Sequence, residues 1–412
     1  MTGIAENALG LYLSIPFCRS KCTYCNFASG VYPASQHEQY VNRLVEDLGG
    51  AAAWASEIGV ELPRRVDTVY LGGGTPSLLA PDLVTRLFAA VRAHFDLDAD
   101  AEITMECAPG QLADVTLEAI AAAGVNRVSL GVQSFIDREA HESGRLHNRV
   151  VVEQDLHRLR QAGITNLNID LIAGLSGQTF ASWEQSLSAL VQSAVPHASV
   201  YMLEVDEDSR LGRELLAGGA RYHAGLVPTD DAIAQMYECA LERLSESGLD
   251  QYEISNFGSA AYRSRHNLRY WQRRAYLGLG LDASSALRSS PDAGERYLLR
   301  TNATDDLASY LAGPQPCETA WLSPARQHEE AWFLGLRLNA GVDVAALESE
   351  FGHALVEPAI EVAERLAADG LLAADGAAVR LTAQGRLLSN NVFQEFLSLQ
   401  PARTAFPFGG SA

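Results

Sequence analysis

FCRSKCTYCNF, residues 17–27, places three cysteines within eight positions of a chain that has six among 412 residues. Their spacing is C-x3-C-x2-C, at Cys18, Cys22 and Cys25. Three chemistries meet such a loop. A structural zinc site takes four ligands, as a rule in two separated pairs, and no second pair exists in this chain. A thioredoxin-type redox pair would use Cys22 and Cys25 and leave Cys18 idle. An iron-sulfur cube that only carries electrons takes four thiolates; with three, one iron keeps an open position for another ligand. The first two fit the spacing less well than the third. Cys107, Cys239 and Cys317 stand singly and read as buried thiols.

The loop follows the strand-like LYLSIPF. Five similar runs come after it: VDTVYLGGGTP, EITMECAP, NRVSLGVQSF, NLNIDLIAGL and HASVYMLEV. Between them lie Ala/Leu-rich segments with helical periodicity, among them PDLVTRLFAAVRAHF and VVEQDLHRLRQAG. Six strands alternating with helices predict repeated βα units around a parallel sheet. The near-continuous apolarity of the runs suits strands covered on both faces. Each glycine or polar cluster falls at the end of such a run, the edge where α/β sheets and barrels bind ligands.

Acidic residues outnumber basic ones by 51 to 31, a net charge of −20, which argues against a nucleic-acid partner. The N-terminal stretch has no basic region followed by a long apolar run, and no segment approaches about 18 uninterrupted apolar residues. With cysteines too scattered for a disulfide framework, a reducing cytoplasmic location is expected.

Three domains are predicted: 1–225 with the βα repeats, 226–325 as an extension, and 326–412. The middle part is less regular, with a helix near Asp230 to Ser247, a strand in QYEISNF and a Gly-rich YLGLGLDASSAL. The last part reads as helices, then a hairpin turning at Asp375-Gly376, then a further helix: a small, mainly helical, winged-helix-like unit.

Glu106, Gln133, Arg145 and Asp170 lie at or beyond the ends of the third, fourth and fifth runs. Taken singly, each is as readily a rim polar group as a ligand contact. Together they suit a ligand with a carboxylate, an amine and hydroxyls: an arginine fork on a carboxylate is worth roughly 1.5–3 kcal/mol. GGGTP, residues 72–76, can bring backbone close to a ligand with no Cβ in the way. His266, in HNLRYW, stands beside Tyr270 and Trp271, and a histidine beside aromatics is more often core packing. His141, His147 and His157 fall on or near helical segments and read as structural.

The C-x3-C-x2-C loop with aromatic Tyr24 before its last cysteine resembles the radical S-adenosylmethionine superfamily. With YLGGGTPS, RVSLGVQSF, NIDLIAGLSGQT and HNLRYW, the resemblance narrows to the HemN/HemW family, the oxygen-independent coproporphyrinogen III oxidase-like branch, over nearly the whole chain. It implies a partial (β/α)6 radical-SAM barrel and a [4Fe-4S] cluster on Cys18, Cys22 and Cys25. The open iron of that cluster would chelate S-adenosyl-L-methionine. Matched position by position, Tyr12, Tyr24, Gly73, Gly74, Thr75, Glu106, Gln133, Arg145 and Asp170 become the S-adenosylmethionine contacts, with Tyr12 pointing toward the same mouth. The oxidase members carry a fourth cysteine two places after the third, where this chain has Phe27, and a long extension before the cluster, where it has 17 residues. Cys25-Asn26-Phe27 and the HNxxYW motif instead match the branch's heme-chaperone members, which implies His266 as a candidate ligand of heme iron with Tyr270 and Trp271 stacking nearby. The resemblance therefore implies a protein that binds heme and transfers it to heme-accepting proteins such as respiratory enzymes, uses an electron donor for its cluster, and touches a membrane only through partners. On this reading it is not a coproporphyrinogen III dehydrogenase, and no catalytic residue is assigned. An oxidase, or a cluster-containing partner-binding module without turnover, are the alternatives. Two positions depart from the family pattern: Ser284, where a histidine is expected, and Cys107, where a small residue is usual.

Overall fold

The computed structural model describes residues 7–290, 297–313, 318–376 and 378–397. Cys317, the first six residues of the N-terminal stretch and the end of the third predicted domain lie outside them.

The six expected strands form: β1 (Leu9–Ile15), β2 (Arg65–Gly73), β3 (Asp96–Cys107), β4 (Arg127–Gln133), β5 (Asn166–Ala173) and β6 (His197–Met202). They pair in parallel in sequence order. Helices Ala34–Ile58, Pro81–His94, Asp114–Ala122, Arg149–Gln161 and Phe180–Gln192 make the crossovers. Each buries one stripe, such as Tyr40, Val41, Leu44 and Leu48 of the first, against strand residues that are themselves inaccessible, such as Leu11, Val69, Val128 and Ile169. Parallel pairing sends every strand's C-terminal end to one edge, so the loops after β1 to β5 share a mouth.

The Gly-rich segment is more ordered than its composition suggests. It makes β8 (Tyr276–Leu279), parallel to β1, and β9 (Ser284–Arg288), which pairs with β10 (Leu298–Asn302) and through it with β11 (Glu318–Leu322). QYEISNF supplies the short β7 (Asn256–Gly258), antiparallel to β6. The sheet runs β11-β10-β9-β8-β1-β2-β3-β4-β5-β6-β7, with β11 and β7 at its two edges. Glycine alone permits the β8–β9 approach: a Cβ on Gly278 would stand 2.1 Å from the carbonyl oxygen of Ser284.

Past the sheet, helices Pro324–Gly335, Val344–Phe351 and His353–Ala368 surround a second apolar core in which Trp332 stacks on Phe396 at 4.8 Å. The expected hairpin is present as β13 (Leu372–Asp375) and β14 (Ala378–Leu381), joined by a third strand, β12 (Val342–Asp343). The expected final helix is two short pieces, Ala383–Leu387 and Ser389–Gln394. Among the described residues no helix is long and apolar enough to cross a membrane.

Candidate functional site

The cysteine loop is fastened at both ends. Cys18 N–H donates to Gly30 O at 2.8 Å and Gly30 N–H to Pro16 O at 2.9 Å, while Lys21 Nζ donates to the carbonyls of Phe27 and Ser29. Its middle is tied outward, Thr23 N–H to Ser143 O at 3.0 Å and Leu211 N–H to Thr23 O at 2.8 Å. The glycines of GGGTP serve this loop. Gly74 N–H donates to Ile15 O and Thr75 N–H to Phe17 O, and a Cβ on Gly74 would sit 2.7 Å from that same Phe17 oxygen. Their first task is thus to let the turn lie against the cysteine loop, bringing Thr75 Oγ1 to 3.9 Å from Cys18 Sγ.

These loops close over a cavity of about 300 Å³ bordered by all three cysteines, Tyr24, Gly73, Gly74 and Thr75. Glu106, Gln133, Arg145 and Asp170 border it too. No three His, Cys, Asp or Glu side chains converge on one point among the described residues. A cube needs no such convergence, since each thiolate holds a different iron.

The remaining wall is polar and only partly satisfied by protein. Arg145 lies across Gly131, where a Cβ would stand 2.1 Å from its Nη2, and its Nε has no partner. Gln133 ends β4 with φ at 68°, at a shift in the β4–β5 register, and its buried Oε1 is also unpartnered. A non-glycine residue held at positive φ is strain of the kind that sites retain. Among the described residues, an unpartnered guanidinium Nε and an unpartnered amide oxygen beside three thiols suit a ligand carrying a carboxylate and an amine, so the residues present fit a cluster with S-adenosylmethionine.

Glu106 accepts a hydrogen bond from Tyr70 Oη at 2.8 Å, and burial pushes its pKa up to about 7. Burial also raises Asp170, which accepts from Ser129 Oγ and Asn168 Nδ2. Glu106 therefore binds its proton more tightly folded than unfolded. Its contribution to stability is full below the free value of 4.5 and is lost as pH rises to about 7, a difference of about 3 kcal/mol. Glu106→Gln is expected to flatten that slope: by urea unfolding, the variant should gain on the wild type between pH 5 and pH 8. A gap between the two that is independent of pH would refute the assignment.

Not every expected residue reaches the cavity. Tyr12 does not border the cavity; it stacks behind Tyr70 at 6.1 Å, and Tyr70 takes the inner position. His266, Tyr270 and Trp271 lie on the helix Arg265–Trp271, below the cavity rather than at its mouth; of that helix only Asn267 reaches the lining. His266 is 1% exposed, with Nδ1 at 2.9 Å from Thr68 Oγ1 and Nε2 at 2.8 Å from Tyr270 Oη, so neither nitrogen is open to a metal in this arrangement. Burial, then Arg269 and Arg127, lower its pKa to about 3. Ser284 is exposed and bonds Asn302, far from any histidine role. Cys107 is buried and borders the cavity, its thiol pushed up to about 12 by burial, whereas Cys239 is only half-buried. His147 is buried at about pKa 4; His157 is exposed on its helix.

The sequence reading missed the deeper lining: Arg127 and Ser129 on β4, Asn168 on β5, Ser199 and Tyr201 on β6, and Asn256. Their signal was present as alternation, Arg127-Ser129-Gly131-Gln133 on one face of a strand read as uniformly apolar.

Residues 12–190 match the radical SAM superfamily and residues 322–388 the HemN C-terminal domain. The heme chaperone HemW of Lactococcus lactis is 34% identical over 94% of this chain and 96% of its own length. HemW of Bacillus subtilis is 32% identical over 94% and 98%, and that of Mycobacterium tuberculosis 33% over 94% and 94%. The fold superposes on the radical SAM enzyme coproporphyrinogen III oxidase (HemN) from Escherichia coli with a TM-score of 0.78 at 23% identity, covering 95% of this chain and 90% of that one. With the three-cysteine loop, the parallel sheet and the HemN-type C-terminal unit all in place, the chain belongs to the HemN/HemW family of the radical S-adenosylmethionine superfamily.

Proposed function

We propose that this protein is a cytoplasmic heme chaperone, binding heme and passing it to acceptor proteins such as respiratory enzymes, with a [4Fe-4S] cluster on Cys18, Cys22 and Cys25. The observation that carries the reading is near end-to-end similarity to proteins named heme chaperones, together with Phe27 where an oxidase would bring a fourth cysteine. When bound, cluster and S-adenosylmethionine together supply one-electron reductive cleavage, fed by an external electron donor. The chain's own part is to orient and to exclude water. Arg145 meets the carboxylate, Gln133, Glu106 and Asp170 take the polar remainder, and Tyr24 and the GGGTP turn cover the thiol wall. Residues 1–225 form the barrel unit, 226–325 bring the HNxxYW helix beneath it, and 326–412 form the C-terminal unit.

Two features suit heme. Phe27, which borders the cavity, and Leu146, next in sequence to the lining residue Arg145, are both more than half exposed, an apolar edge for a flat apolar disc. His266, with Tyr270 and Trp271, is the proposed axial contact, which requires its ring to trade Thr68 and Tyr270 for iron. Anaerobic titration with heme should give saturable one-to-one binding, weakened about tenfold or more in His266→Ala while circular dichroism stays unchanged. Unaltered affinity would place the iron ligand elsewhere. Formation of protoporphyrinogen from coproporphyrinogen III by the reconstituted protein would replace the chaperone reading with the oxidase.

A further inference from the structure

The deep end of the cavity holds a second arginine whose position the cluster chemistry does not use. Arg127 begins β4, is 2% exposed and borders the cavity. Across the sheet its register partners lead through Thr104 and Tyr70 to Tyr12. That level lies three residues short of the end of β1, roughly 10 Å below the cysteine loop at ~3.3 Å per residue.

Among the described residues the one polar contact of its guanidinium is Nη2 to His197 Nδ1 at 3.2 Å, and its Nε has no partner. The surrounding hydrogen bonds decide whether that contact is a bond. Asn168 sits 2.6 Å from Asp170 Oδ1 through Nδ2, the only end of the amide a carboxylate can accept from. Its Oδ1 is therefore an acceptor, and it lies 2.6 Å from His197 Nδ1, which must carry the proton. The other ring nitrogen agrees. Tyr252 Oη accepts from Ser264 N–H at 3.0 Å and so can donate to His197 Nε2 at 2.8 Å. Nδ1, its hydrogen given to Asn168, thus has no lone pair with which to accept from Arg127, and a doubly protonated ring would have none either. The guanidinium is left with no hydrogen-bond acceptor among the described residues, in a place where burial makes an unpaired charge unfavourable.

We propose that Arg127 is the anion-binding residue of a second ligand subsite at the deep end of the cavity, and that the anion is a carboxylate. A planar fork matches a carboxylate in two parallel bonds. Asp170 and Glu106 on the same wall would repel the higher charge of a phosphate. Ser129, Asn168 and Ser199 already bond one another and Asp170, so they shape the subsite more than they charge it. The carboxylate belongs either to a propionate arm of a porphyrin or to a separate small acid. The subsite stands whether or not the protein carries heme.

The test uses sodium propionate on the full chain, with ionic strength held constant by exchange against chloride. The wild-type melting temperature should rise by roughly 3–5 °C at about a hundred times the dissociation constant. Arg127→Gln should fold at least as stably and show no rise. Arg127→Lys, which keeps the charge and loses the fork, should need about tenfold more propionate, and it carries the test should the glutamine variant fail to fold. No rise in the wild type, or equal rises in wild type and variants, overturns the proposal. The source is read with protoporphyrin and its dimethyl ester by tryptophan quenching. Preference for the acid that Arg127→Gln abolishes assigns the subsite to a porphyrin propionate. A propionate response without such a preference assigns it to a separate acid, and persists even if no porphyrin binds.

Discussion

Cys22→Ala protein, reconstituted anaerobically with iron and sulfide, is expected to stay colourless and to retain neither metal nor sulfide, with its circular dichroism unchanged. Cys22 is the buried member of the three, packed where the Gly144 turn comes against the cysteine loop. Alanine removes the sulfur without filling or straining that contact, and the loop keeps the bonds from Thr23 N–H to Ser143 O and from Leu211 N–H to Thr23 O. With two thiolates left, a cube would have two irons without protein ligands, which is why the loss should be complete rather than graded. Cys239→Ala, on the helix Asp230–Glu246, is the control that should retain the full visible absorption. Zinc in the wild type without iron or sulfide, or a Cys22→Ala spectrum equal to that of the wild type, would remove the cluster assignment.

The three-cysteine wall of the cavity was legible in the sequence because its signal is local: three thiols in one loop, a glycine turn one strand later, polar groups at strand ends. The parallel sheet was legible for the same reason, as runs such as NLNIDLIAGL are covered on both faces. What escaped was set by tertiary pairing. YLGLGLDASSAL looks like a loop by composition, yet its glycines let β8 lie on β9 while Leu277 fills the core. Tyr12 and Tyr70 are adjacent in register, and which of two stacked rings faces the cavity depends on the curvature of the sheet. The HNxxYW motif is conspicuous in sequence, but whether His266 faces solvent or core depends on Thr68 of another strand. Arg127 and Asn168 were hidden by treating strands lined with polar groups as apolar throughout.

The largest expected change in stability is that of Asp67→Asn. Asp67 and Arg269 have fully inaccessible side chains and bond directly, and Arg269 Nη1 also donates to the carbonyls of Ala8 and Ala275, each at 2.9 Å. Arg265 Nη2 approaches the other Asp67 oxygen at 3.8 Å. One carboxylate thus offsets two cations and fastens the helix Arg265–Trp271 under β1, β2 and β8. Asparagine keeps the shape and removes the charge, leaving Arg269 buried and unpaired at a cost of about 3–5 kcal/mol, a large share of a typical folding free energy. Urea unfolding should show that loss, and the double variant Asp67→Asn with Arg269→Met should recover much of it, since no buried charge then remains. Gly10, whose Cβ would stand 2.4 Å from Arg269 Cδ, leaves room for the methionine. If the double variant is as unstable as Asp67→Asn, the helix is held by packing and not by this pair. Arg127→Gln, in contrast, removes a cation that no carboxylate hydrogen-bonds and should cost little, because of these two buried arginines only Arg269 has a carboxylate acceptor among the described residues.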